Sequence, residues 1–217
     1  MATSSMTGFD PEIVNQSIGK VISAYEELIG VLGDKMQSDF VGGMQDKWAC
    51  TQAQKFFTNS FKPAIDSIIT SSNSTFESVV ASMNSAGQAW AARTESSYSP
   101  VSFTPTAKTI DAGVILENIG GVRGIDKANA ENVANKLPGL ASDAESALSN
   151  AQSAVQNSGF IGGSQQANLV ESLGQIKTKI DEVVTNVTTE TKTAIQSTIE
   201  AYGDTEGKIS EAFTLQG

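Results

Sequence analysis

The chain has 217 residues, no histidine, one cysteine (Cys50) and a net charge of −10. Without histidine and with a single thiol it cannot assemble a Ser-His-Asp or Cys-His nucleophilic site, a Cys/His metal cluster or an internal disulfide. The acidity is spread evenly, 6 basic against 10 acidic groups in residues 1–100 and 8 against 14 in residues 101–217, which argues against nucleic acid or an anionic membrane as partner; no enzyme, cofactor or metal is expected.

Met1–Phe9 has neither a positive n-region nor an apolar core, so a protein made without a conventional signal peptide is expected. No apolar run approaches the roughly 18–20 residues of a spanning helix, so no stable membrane insertion is expected. Asp10-Pro11-Glu12 then reads as a helix start: a capping acceptor, proline at the first helical position and an acid in the first turn. Val14, Ile18, Val21, Ile22, Tyr25, Leu28, Ile29, Leu32 and Met36 follow at three- and four-residue steps, one apolar stripe on a first helical arm. That arm ends before Phe40-Val41-Gly42-Gly43, where paired glycines supply turn conformations.

A second arm runs from about Trp48 to Trp90, with Ala53, Phe57, Phe61, Ala64, Ile68, Ser72, Phe76, Val79, Met83 and Ala86 in its stripe. Pro63 falls inside it and the stripe resumes in phase, which predicts a kinked but continuous helix. Residues 96–126, with Pro100, Pro105 and glycines 113, 120, 121 and 124, read as a linker with a short helix around Ala112–Asn118. A third arm begins near Asp126, with Val133, Leu137, Leu140, Ala144, Leu148, Ala151 and Val155 in its stripe, and Pro138 predicts a second internal kink. After Phe160-Ile161-Gly162-Gly163 comes a fourth arm with Leu173, Ile176, Ile180, Val183, Val187, Thr191, Ala194, Thr198 and Tyr202. Beyond Gly203 and Gly207 a frayed or disordered end is expected.

The repeated Phe-Val/Ile-Gly-Gly turn makes the chain a helical hairpin used twice: residues 1–95 and 127–217, joined by 96–126. The expected fold is all-α without sheet, an elongated four-helix bundle of two hairpins packed antiparallel. The linker supports the antiparallel choice. Hairpins with both turns at one end need only a few linking residues, whereas antiparallel hairpins require the linker to travel the length of the bundle. Trp48 would then lie close to Tyr202 and Glu206.

Trp48-Ala49-Cys50 in the first turn and Tyr202-Gly203-Asp204-Thr205-Glu206 near the end resemble the WXG-type (Trp-Xaa-Gly) substrates of type VII, or ESX, secretion in Gram-positive bacteria. Members of that family are helical hairpins with Trp-Xaa-Gly in the turn, they pair as antiparallel dimers, and one subunit carries a Tyr-x-x-x-Asp/Glu export signal. This chain looks like a tandem member. Trp48 matches the tryptophan and Cys50 replaces the glycine; Phe160 replaces the tryptophan of the second turn and Gly162 keeps its glycine; Tyr202 and Glu206 match the signal. The resemblance implies a secreted or cell-surface effector recognised by the motor ATPase of the secretion machine, with a second copy or other secreted helical proteins as further partners. It also implies that Trp48→Ala weakens export without unfolding the protein. Read alone, Trp48 is a core anchor, Tyr202 continues a stripe and Cys50 is a small buried side chain. A cytoplasmic helical scaffold, or a pore-forming helical toxin, stays open as an alternative.

Overall fold

The computed structural model describes residues 8–161 and 165–214. It is 78% helix and 3% strand, with four long helices. The elements in order are β1 (Gly8–Phe9), α1 (Pro11–Ile29), a π-helical stretch (Gly30–Val41), α2 (Gly42–Met44), β2 (Trp48–Ala49), α3 (Thr51–Phe56), a π turn (Phe57–Phe61) and α4 (Lys62–Thr94). A 3-10 turn (Ala112–Val114), β3 (Gly124–Ile125), α5 (Lys127–Ala134), α6 (Leu137–Gln156), β4 (Phe160–Ile161) and α7 (Gln165–Thr214) follow. The all-α class holds, but the expectation of no sheet does not. Two antiparallel pairings of two-residue strands join β1 to β4, with Gly8 opposite Ile161, and β2 to β3, with Trp48 opposite Ile125. Each pairs a chain segment entering a helix with a turn region, where backbone groups have no intrahelical partner.

The first arm starts as its sequence requires. Asp10 is the N-cap, its carboxylate accepting from the N–H of Glu12 and Ile13 at 3.0 and 3.2 Å, with Pro11 at the first helical position. Val14, Ile18, Val21, Tyr25, Leu28, Leu32 and Met36 are all buried. From Gly30 the winding widens to the π form, and Val31, Leu32, Met36, Phe40 and Val41 are its buried face.

The two prolines behave differently. Around Pro63 the chain is helical from Thr51 to Thr94, with the π turn Phe57–Phe61 immediately before it. A wider turn is a common place for a helix to absorb the hydrogen bond that proline cannot make. Pro138 does not sit inside a kinked helix. A two-residue turn at Asn135 and Lys136 separates α5 from α6, and Pro138 is in the first turn of α6. There its missing N–H has no intrahelical role, and the residue before a proline disfavours the helical conformation. The stretch beyond Gly203 and Gly207 is helical, α7 continuing to Thr214, and residues 215–217 lie outside the described residues. Of the helix expected around Ala112–Asn118, only the 3-10 turn Ala112–Val114 forms, capped by the Asp111 carboxylate on the Gly113 N–H at 2.8 Å.

The chain divides into two compact units. One is drawn from Met1–Leu32, Ser67–Lys108 and Ser142–Asp181, the other from Gly33–Asp66, Thr109–Ala141 and Glu182–Gly217. The core of the first contains Ile18, Tyr25, Phe76, Leu148 and Ile176; Tyr25 and Phe76 meet with ring centres 5.4 Å apart. The core of the second is aromatic, built on Phe40, Trp48, Phe57 and Phe61. In α7 the buried residues include Val184 and Ile195, while the neighbouring Val183 and Ala194 are only half-buried. Val187, Thr191 and Thr198 are buried as their spacing predicts, so the stripe differs from the expected one at those two positions, by one residue each.

The linker is an ordered strap. Glu95, in the left-handed conformation (φ 52°), ends α4, and the Ser96 N–H closes the helix on the Ala91 carbonyl at 3.1 Å. Beyond it the Tyr98 ring lies on Gly87, where an added Cβ would stand 2.6 Å from the ring. Gly87→Ala raises the helix propensity of α4 by about 1 kcal/mol, yet it must expel Tyr98. The expected outcome is a net loss of stability and faster amide exchange at Val101 with unchanged helical circular dichroism, checked by hydrogen exchange and spectroscopy.

Candidate functional site

The first turn is assembled from the aromatic residues around it. Trp48 is completely buried, its ring stacked on Phe56 at 5.9 Å and met edge-on by Phe57 at 6.2 Å. Phe40 continues the cluster, 5.4 Å from Phe57 and 4.8 Å from Phe61. Behind it the Asp126 N–H donates to the Lys47 carbonyl at 2.7 Å, and the Asp126 carboxylate caps α5 on the Asn129 N–H at 3.2 Å. The Asn129 side chain and backbone hold the Asp126 carboxyl below its ordinary range. Gly43 approaches Val133 so closely that an added Cβ would lie 3.1 Å from it.

Cys50 is the N-cap of α3, its sulfur accepting from the Ala53 N–H at 3.5 Å, and it is buried. Its backbone is extended (φ −163°), a conformation any residue adopts, so the turn imposes no need for glycine at this position. The second turn differs. Phe160 lies in β4, and Gly162 lies outside the described residues. Among the described residues of this turn Gly159 has a conformational task, at φ 76°, where a Cβ would stand 2.9 Å from Ile13; its carbonyl accepts from the Asp10 N–H at 3.0 Å. Tyr202 is half-buried on α7, and Glu206 lies in the helical stretch beyond it, its side chain outside the described residues.

The residues that hold the strap escaped the sequence reading. In the first unit the Asn84 amide takes both backbone groups of Val101, donating to its carbonyl and accepting from its N–H, each at 2.9 Å. Asn84 also accepts from the Tyr98 hydroxyl at 2.9 Å. The Tyr25 hydroxyl accepts from the Thr106 N–H at 2.6 Å and donates to Asn73, and Asn73 donates to the Thr106 carbonyl at 3.4 Å. In the second unit Asp66 accepts from the Ile110 N–H at 2.8 Å while Lys62 donates to the Ile110 carbonyl at 2.6 Å. Gln37 pairs with both backbone groups of Asp111, at 2.8 and 3.2 Å.

Helix side chains thus stand in for a neighbouring strand. The register is metrical: five extended residues from Val101 to Thr106 span about 16.5 Å at about 3.3 Å each, as do eleven helical residues from Asn84 back to Asn73 at 1.5 Å. Asp66, Asn73 and Asn84 are 7 and 11 residues apart, close to two and three helical turns. That spacing was the available signal: polar groups in one row beside an apolar stripe.

Burial pushes the Asp66 carboxyl up, but hydrogen bonds from Lys62, the Ile110 N–H and Thr109 outweigh it and hold it below its ordinary value. On α6, Glu145 is raised by its hydrogen bond to Asp181, with burial adding, against the opposing Lys177 ammonium 3.6 Å away. A groove of about 350 Å³ lined by Ser17, Lys20, Ser23, Glu27, Asn150 and Asn157 opens on the first unit. Among the described residues no three His, Cys, Asp or Glu side chains converge to hold a metal ion, and no helix is long and apolar enough to cross a membrane.

Comparison of the chain with protein-family models, with curated proteins and with solved structures finds no match.

Two outcomes follow from this geometry. Trp48→Ala empties the centre of an aromatic core and is expected to cost about 3–5 kcal/mol of stability; denaturant unfolding measures it. Trp48→Phe loses less, because it keeps a ring in the stack and removes an indole N–H that is buried without a hydrogen-bond partner. Asp66, with a depressed folded pKa, contributes stability present above the unfolded value of about 3.9 and lost as pH falls through the folded value. The stability gap between the native protein and Asp66→Asn should be widest at neutral pH and close in acid, read from unfolding midpoints across a pH series.

Proposed function

We infer that this chain is a non-enzymatic helical interaction protein exported by a type VII (ESX-like) secretion system, with both hairpins of a WXG-type pair fused in one polypeptide. The hairpins pack antiparallel in this reading. It is supported by the two strand pairings, which tie the start of the first hairpin (Gly8–Phe9) to the second turn (Phe160–Ile161) and the first turn (Trp48–Ala49) to the residues entering the second hairpin (Gly124–Ile125).

The observation that carries the functional reading is that the Trp48 turn and the segment Glu182–Gly217, which contains Tyr202 and Glu206, belong to the same compact unit. The turn and the tail motif can then form one recognition surface in cis for the motor ATPase, a role that separate subunits share in the family this chain resembles. Because Trp48 is buried, its part is to brace that surface and not to touch the machine. Tyr202, half-buried, and Glu206 are the residues left to be read. Outside the cell the protein acts by binding, with other secreted helical proteins or a second copy as partners.

One observation favours a second reading. A fully buried Trp48 is what a cytoplasmic helical scaffold needs as a core anchor, with no export role. Secretion separates the two. Immunodetection in culture supernatant should find the intact protein and lose it on removal of residues 202–217 and in Tyr202→Ala and Glu206→Ala, while cellular levels and helical content stay unchanged. Equal secretion of all variants, or none of the intact protein, selects the scaffold.

A further inference from the structure

The strap carries an outward row of hydroxyl side chains, most of which make no hydrogen bond within the fold. From Ser96 to Thr106 burial alternates: Tyr98, Val101, Phe103 and Pro105 are half-buried, and the exposed positions are Ser96, Ser97, Ser99, Ser102, Thr104 and Thr106, broken only by Pro100. The inward set is fixed by Gly87 under Tyr98, by the Asn84 clamp and by Phe103, whose ring meets Tyr25 edge-on at 4.9 Å. The outward set is therefore held in a constant presentation.

Two serine or threonine hydroxyls of the strap are already committed, Thr109 to Asp66 and Lys62 and Ser96 to Thr94, while Thr106 has both backbone groups clamped. Between the clamps at Val101 and Thr106 the situation is different. Among the described residues, Ser102 and Thr104 have no hydrogen-bond partner for their hydroxyls, and residues 102–105 have none for their backbone groups. An extended, exposed backbone with free N–H and C=O groups is what a peptide-modifying enzyme can pair with as an added strand. Serines and threonines interleaved with Pro100 and Pro105 have the composition of O-glycosylated segments.

We propose that Ser102 and Thr104 are O-glycosylation acceptors, taking a sugar from a phosphate-activated donor through a host glycosyltransferase. The hydroxyl oxygen attacks the anomeric carbon, the bond from that carbon to the donor's phosphate oxygen breaks, and the hydroxyl proton passes to the transferase's base. The donor leaves as its phosphate ester, and no oxidant or reductant is involved. Both acceptors point away from the helices, so a bulky polar group there leaves every clamp in place. This inference is independent of the export reading.

Trypsin cuts after Arg93 and Lys108 and so releases the segment as one peptide, Thr94–Lys108. The experiment is mass spectrometry, with fragmentation that preserves side-chain modifications, on protein purified from the organism that makes it, from cells and from medium. The expected result is a population of this peptide heavier by one or more monosaccharide masses, localised to Ser102 or Thr104 and lost on mild alkaline elimination. The S102A/T104V variant made in the same host should lack the increment and keep its helical circular dichroism. A peptide found only at its unmodified mass, an increment equal to phosphate, or an increment that survives in the double variant overturns the proposal.

Discussion

A peptide that leaves water must find partners for its N–H and C=O groups, and in this protein the clamped residues between Val101 and Asp111 of the joining segment meet that constraint without a sheet. Asn84, Tyr25 with Asn73, Asp66 with Lys62, and Gln37 each supply a donor and an acceptor to one strap residue. A side-chain amide carries the same pair of groups as a peptide, so an asparagine or glutamine on a helix can replace an edge strand. The strap's inward side chains pack only because these clamps fix its register. Glu95 and Gly87 share the same dependence: one turns the chain out of α4, and the other leaves room for Tyr98 to lie down.

The turns obey related logic. Both are closed by two-residue strand pairings that give backbone partners to residues flanking helix ends, and each adds a cap: Asp10 on α1, Cys50 on α3, Asp126 on α5. Within the second unit the cap at Asp126 and the pairing of Trp48 with Ile125 bring the entry of α5 against the aromatic cluster. Trp48 thus supports the turn from inside. A surface built on that turn inherits its rigidity from the core, which links the packing of the aromatic residues to the recognition role proposed for the tail.

Much of the fold could be read in advance because helical periodicity is a local property. The stripes of the first and third arms coincide with buried residues almost position by position, and the Asp10-Pro11 start is capped as its residue types demand. The reading failed where a local rule had two outcomes. Proline is compatible both with a wider turn and with a new helix start, and Pro63 and Pro138 took one each. Cys50, which stands where the Trp-Xaa-Gly pattern has glycine, is extended, and among the described residues of the second turn the left-handed conformation falls at Gly159.

What the sequence determined by itself is the helical class, the four arms, most of the apolar faces and the lack of histidine and of a second cysteine, since these depend on composition and on neighbours a few residues away. Tertiary structure alone decided the pairing of Gly8 with Ile161 and Trp48 with Ile125, the π winding from Gly30 to Val41, and the seat of the strap. Polar residues such as Asn73 and Asn84 look the same in sequence whether they face water or a backbone. Their role is fixed only by which distant segment is brought within hydrogen-bonding reach.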